Sequence, residues 1–217
     1  MKSDLSLRYR LEVPSGRAES EAMPMVIMIH GRGADMNDLA DLAPLLDTPS
    51  GARFVFPNAP KAFEAYPGMS FGWTWFDGWP PQHESVSESR ATLLRFIDEI
   101  TERYPTTSLI VSGFSQGAMM SLDVGLRATR DVAAIVAMSG GLYEEELPDL
   151  GARNSVPILI SHGSADDVVP VNYARRARTV LEGAGFDVTY QEYPMGHQVT
   201  MEEVALVKDF FRLHAST

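Results

Sequence analysis

Apolar residues along this chain gather into short, nearly unbroken runs, separated by stretches in which they recur with helical spacing. The runs are PMVIMIH (24–30), RFVFP (53–57), SLIVSG (108–113), VAAIVAMSG (132–140), VPILISHG (156–163) and DVTYQEYP (187–194). Short runs bounded by turn residues predict strands, and continuous rather than alternating apolarity predicts strands covered on both faces. Helical spacing marks 36–46, 84–103, 116–129, 171–184 and 199–214. Strand and helix in alternation build mostly parallel sheets. The expected fold is therefore a three-layer α/β sandwich, with helices on both faces of a central, mostly parallel sheet and no large cap. The opening LSLRYRLEV (5–13) alternates apolar and polar positions instead, which predicts an antiparallel edge hairpin with one face in water.

One segment breaks the pattern. PNAPKAFEAYPGMSFGWTWFDGWPPQ (57–82) keeps no period, is rich in Pro and Gly, and holds all three tryptophans. A loop this long inside a compact domain is uncommon and tends to be functional. A mini-core of aromatics packed over the sheet is the alternative, and the two are compatible.

Composition narrows the picture. A chain of 217 residues, 45% hydrophobic and with no Gly- or Ser-rich linker, reads as one domain spanning 1–217. Its net charge of −11 disfavours nucleic acid as a partner, because that polyanion is met by clustered Lys and Arg. The opening MKSDLSLRYRLEV has no apolar core of a signal peptide and no later run reaches the length of a membrane span, so the expectation is a cytoplasmic protein without stable membrane insertion. The absence of cysteine excludes disulfides, thiolate metal sites and a cysteine nucleophile. Oligomeric state has no signature in the sequence.

The chemistry begins at Gly113-Phe114-Ser115-Gln116-Gly117, which fits G-x-S-x-G between a strand and a helix. In that context the motif predicts a nucleophile elbow, a turn so sharp that only small residues fit two places before and after the serine. It lifts the Ser115 hydroxyl over the carboxyl ends of the strands, and sets the Gln116 N–H at a helix N-terminus that favours developing negative charge. Read without context, the same five residues make an ordinary turn.

A serine hydroxyl needs a base, and the base an orienting carboxylate. Of the five histidines, His197 lies in YPMGHQVT after the final strand and follows both the serine and a suitable acid, the order Ser, Asp, His. Asp166 and Asp167, in ISHGSADDVVP, both end another strand, and either is also readable as a turn or capping residue before Pro170. The strand ending in His30-Gly31-Arg32-Gly33 offers the Arg32 N–H as second oxyanion donor, and glycines there let backbone approach a substrate closely. Phe71, Trp73, Trp75 and Trp79 are candidates to wall an acyl pocket, although Trp75 to Asp77 is equally readable as a structural anchor.

With HGRGAD (30–35), WFD (75–77), GFSQGA (113–118), HGSADDVVP (162–170) and GHQV (196–199) in place, the chain resembles the phospholipase/carboxylesterase family of small α/β-hydrolases, which includes the acyl-protein thioesterases. The resemblance runs from about Met25 to the end. It implies Ser115 as nucleophile, Asp166 as orienting acid, His197 as base, and the Arg32 and Gln116 N–H groups as oxyanion donors, with no cofactor and no metal. The chain departs from the family pattern at Ser164, where an aspartate is usual, at Asp167, where a proline is usual, and at Arg32, where a leucine is frequent.

The expected activity is hydrolysis of small or medium-chain carboxylic esters, or thioesters, through an acyl-enzyme on Ser115. It should fall as pH drops below about 6–6.5, the ordinary imidazole range, because the base must be neutral. A peptidase or acyl transferase on the same fold, and an inactive hydrolase kept as a binding module, are the rival readings.

Overall fold

The computed structural model describes residues 2–47, 51–66 and 68–215. Its strands are β1 (Tyr9–Glu12), β2 (Met23–Ile29), β3 (Arg53–Pro57), β4 (Lys61–Tyr66), β5 (Met69–Thr74), β6 (Thr106–Phe114), β7 (Val132–Met138), β8 (Ile158–Gly163) and β9 (Val188–Tyr193). The α-helices are α1 (Ala43–Leu46), α2 (His83–Arg103), α3 (Gln116–Gly125), α4 (Asn172–Gly183) and α5 (Met201–His214). A seven-stranded sheet runs in the order β1-β3-β2-β6-β7-β8-β9. All its pairs are parallel except β1 with β3.

The register explains the continuous apolar runs. Ile27, Val111, Ile135 and Ile158 stand side by side across four strands, and the neighbouring row is Val26, Ile110 and Ala134. Successive side chains point to opposite faces, so each row feeds a different core. The first row packs with Leu93, Phe96 and Ile97 of α2, Leu122 of α3 and Leu181 of α4. The second packs with Leu46 of α1 and Val204, Val207 and Phe211 of α5. This is the expected three-layer α/β sandwich with helices on both faces, and the described residues form no large cap.

Local structure departs from the expected pattern in three places. The stretch 36–46 forms a 3-10 turn over Ala40–Leu42 followed by the single turn of α1. Polar residues just before it divert the backbone, as where Asp35 Oδ1 accepts from Asn37 N at 2.8 Å, and such local bonds compete with a helix. At the N-terminus β1 is an antiparallel edge strand, but the expected hairpin is reduced to a bridge between Lys2 and Tyr9. The segment 57–82, read as an irregular loop, contains the β4–β5 antiparallel hairpin. Two register shifts erase its alternation, between Ala62 and Glu64 and between Glu64 and Tyr66, which is why its period was invisible. The hairpin is tied to the loop after β2, since Gly33 N donates to Trp73 O at 2.8 Å and Trp73 N to Ala34 O at 2.9 Å.

Candidate active site

β6 ends at Phe114 and α3 starts at Gln116, leaving Ser115 as the whole turn, with φ 58° and ψ −120°. This is strained backbone for a non-glycine residue. The flanking glycines are a steric necessity: a Cβ on Gly113 would lie 2.2 Å from Gly117 O, and one on Gly117 would lie 1.9 Å from Ile29 O. Ser115 N donates to Met138 O at 2.9 Å, which pins the turn to β7.

Three loops from distant parts of the chain meet above this serine. His197 Nε2 lies 2.9 Å from Ser115 Oγ, and His197 Nδ1 lies 2.7 Å from Asp166 Oδ2. The other carboxylate oxygen, Oδ1, accepts from Val168 N at 2.9 Å and Val169 N at 2.8 Å. Asp166 is thereby fixed by its own loop, with its side chain entirely buried, while Asp167 is exposed. The loops of Asp166 and His197 cross at contact distance, because a Cβ on Gly163 would lie 2.4 Å from Met195 O. Beneath them, His162 is fully buried, its Nε2 2.7 Å from Val169 O and 3.4 Å from Asp166 Oδ2. Burial lowers its pKa, which keeps the ring neutral.

The Gln116 and Arg32 side of the cleft is fixed by a second set of bonds. Gln116 N is the first amide of α3, a position with no partner inside a helix. The Gln116 side chain turns away to hold the hairpin exit, accepting from Trp75 N at 3.0 Å and donating to Phe76 O at 2.8 Å. Trp75 in turn donates its indole N–H to His30 O at 2.9 Å. His30 Nε2 accepts from Ala59 N at 3.1 Å, so the proton sits on Nδ1 and is donated to Gly31 O at 2.7 Å. Burial pushes the His30 pKa down to about 4, so this clamp on the Arg32 turn is uncharged at neutral pH. Gly31 faces Ser115 so closely that a Cβ there would sit 3.2 Å from Ser115 Cβ.

Around Ser115 and His197 lies a cleft of about 260 Å³ lined by Arg32, Trp79, Gln116, Met119, Val168 and Val169. Of the four aromatic candidates, only Trp79 lines it. Trp75 is fully buried and serves as the anchor just described, Trp73 packs against the core with Arg8 over its ring at 5.3 Å, and Phe71 is half exposed on the hairpin. Those three do not wall this cleft: Phe71 and Trp73 lie on β5 and Trp75 just follows it, and of the four only Trp79 reaches the rim. Met119, Val168 and Val169 were missed. Met119 lies one helical turn beyond the serine, the signal that could have revealed it. Val168 and Val169 sit in the tight turn after Asp166, where only the folded loop sets direction.

Among the described residues no His, Asp or Glu cluster is arranged to hold a metal ion, and no helix is long and apolar enough to cross a membrane.

The description Phospholipase/Carboxylesterase belongs to the family model that matches residues 12–215. Acyl-protein thioesterase 1 of Debaryomyces hansenii is 28% identical over 221 residues, covering 91% of this chain and 95% of that protein. The Neurospora crassa protein of the same name is 35% identical over 118 residues, but that match spans 52% of this chain and only 48% of the relative. Among solved structures, esterase PE8 superimposes with a TM-score of 0.80 at 31% identity, covering 94% of this chain and 99% of that one. With nearly its whole length matched, the chain belongs to the phospholipase/carboxylesterase family and is a hydrolase of the α/β-hydrolase fold.

Proposed function

We propose that the protein hydrolyses small to medium-chain carboxylic esters or thioesters through an acyl-enzyme on Ser115. The observation that carries this reading is the continuous hydrogen-bonded line from Ser115 Oγ through the His197 ring to Asp166, with 2.9 and 2.7 Å links. In this mechanism His197 takes the hydroxyl proton as Ser115 attacks the carbonyl, and Asp166 holds the ring in the tautomer that leaves Nε2 free. The amides of Arg32 and Gln116 hold the oxyanion. The protonated imidazole then gives its proton to the leaving alcohol or thiol, and water releases the acyl group by the reverse sequence.

A cleft of about 260 Å³ walled by Trp79, Met119 and Val168 suits short and medium acyl chains. The names of the thioesterase relatives support the thioester option, and that of esterase PE8 the ester.

The test is active-site labelling with a fluorophosphonate probe, run beside assays on chromogenic esters, thioesters and aminoacyl amides. The expected outcome is labelling and ester or thioester turnover that both vanish in Ser115→Ala. Turnover of amides alone makes the protein a peptidase; neither labelling nor turnover leaves a binding module.

A further inference from the structure

We propose that Arg32 is a specificity-determining residue, its guanidinium selecting substrates that carry a carboxylate away from the bond to be cleaved. The inference rests on the hydrolase reading above and deepens it. Arg32 is the one residue that lines both the 260 Å³ cleft of Ser115 and His197 and an adjoining depression of about 360 Å³, so it forms the partition between them. Its side chain is exposed, with the guanidinium carbon 5.4 Å from the centre of the Phe63 ring. An arginine stacked on an aromatic keeps its N–H edge free for bidentate binding to a carboxylate.

Charge bears on this position, although Arg8 and Arg95 share its lack of a carboxylate partner among the described residues. In a chain of net charge −11, most arginines of the described surface hold a carboxylate, among them Arg10, Arg17, Arg103, Arg175 and Arg178. Among the described residues Arg32 has no carboxylate within ion-pair distance, although Glu64 and Asp77 line the same depression. Each of those is engaged elsewhere: Glu64 Oε2 accepts from Gly68 N at 3.4 Å, and Asp77 lies 3.7 Å from Lys61 Nζ, which also pairs with Glu88 at 2.7 Å. The acids around the depression discourage an anion that enters it deeply. They leave the partition itself, where Arg32 stands beside the oxyanion turn, as the place where a substrate carboxylate is met. An exposed cation with no carboxylate partner among the described residues, at the mouth of the cleft, is a ready recognition group for the charge it lacks.

The experiment compares 4-nitrophenyl hemiadipate with 4-nitrophenyl hexanoate, acyl groups of equal length with and without a terminal carboxylate. The quantity read is the ratio of their kcat/KM values, which cancels any general effect of substitution beside the oxyanion turn. Arg32→Leu is expected to lower the anionic-to-neutral ratio at least fivefold. Raising NaCl from about 0.02 to 0.5 M should lower it in the wild-type protein, because salt screens an exposed charge contact. The salt arm stands even where the variant folds poorly. A ratio that changes less than fivefold in a folded Arg32→Leu, or that is insensitive to salt in the wild type, overturns the inference while leaving the hydrolase reading intact. Failure of the wild type to cleave either ester defeats that reading and this inference with it.

Discussion

At the scale of the residue, the site is governed by a few atoms that cannot be placed otherwise. Ser115 occupies a backbone conformation natural to glycine and held by neighbours that leave no other path for the chain. Such strain costs on the order of 1–3 kcal/mol. Ser115→Gly is therefore expected to melt a few degrees above Ser115→Ala, both variants lacking hydrolysis, since glycine alone relieves the strain; differential scanning calorimetry on the pair reads the difference, and equal melting temperatures would refute a strained elbow. The residue scale was also the most legible in the sequence. Glycines around Ser115 are demanded by the turn itself, so their spacing announced it. His197 followed from chain order and Asp166 from the family resemblance; the residues around them left Asp167 open, and the folded loop supplies the physical reason, its Val168 and Val169 amides gripping Asp166.

At the scale of the element, the helix after His197 starts with half of a capping box. Thr200 Oγ1 accepts from Glu203 N at 3.3 Å, and the Glu203 carboxyl reaches back toward the Thr200 N–H and the Ser161 hydroxyl. Glu203 is fully buried, and neither carboxylate oxygen finds a well-formed hydrogen bond. Burial pushes its pKa from the ordinary 4.5 up to about 7, and those two donors only partly offset it. A raised pKa means that the folded state binds the proton more tightly than the unfolded state. The penalty for ionising this buried side chain is thus absent below about pH 4.5, grows up to about pH 7 and is felt in full above. Glutamine keeps this arrangement without the charge, so Glu203→Gln should gain about 1–3 kcal/mol of stability at pH 8 and almost none at pH 4.5. Denaturant unfolding at the two pH values checks this; an equal gain at both would sink it. The helix α5 was visible from its spacing, whereas the tension at its start came from packing against β8.

At the scale of the whole molecule, β6, β8 and the loop after β9 each bring one group to the carboxyl edge of the sheet, and the β4–β5 hairpin is tied to the Arg32 turn beside it. Trp79, which walls the cleft at its rim, packs on Tyr173 with ring centres 5.2 Å apart, so that wall is braced by a residue most of a hundred positions away. If that wall holds the acyl chain, Trp79→Ala should raise KM for hexanoate esters several-fold more than for acetate esters, because only the longer chain reaches it; steady-state kinetics on the two series decide, and equal effects would remove Trp79 from the acyl site. The hairpin itself was illegible, since its bulged register hides the alternation on which strand recognition depends.

The sequence by itself determined the layered sheet, the elbow and the order of the chemical groups, because hydrophobic period and turn sterics are local and act wherever the chain lies. Tertiary structure alone decided that Trp75 is a buried anchor and not a pocket wall, and that Arg32 lines two cavities. Those outcomes depend on loops meeting across the top of the sheet, and the direction a side chain takes there is set by neighbours far away along the chain.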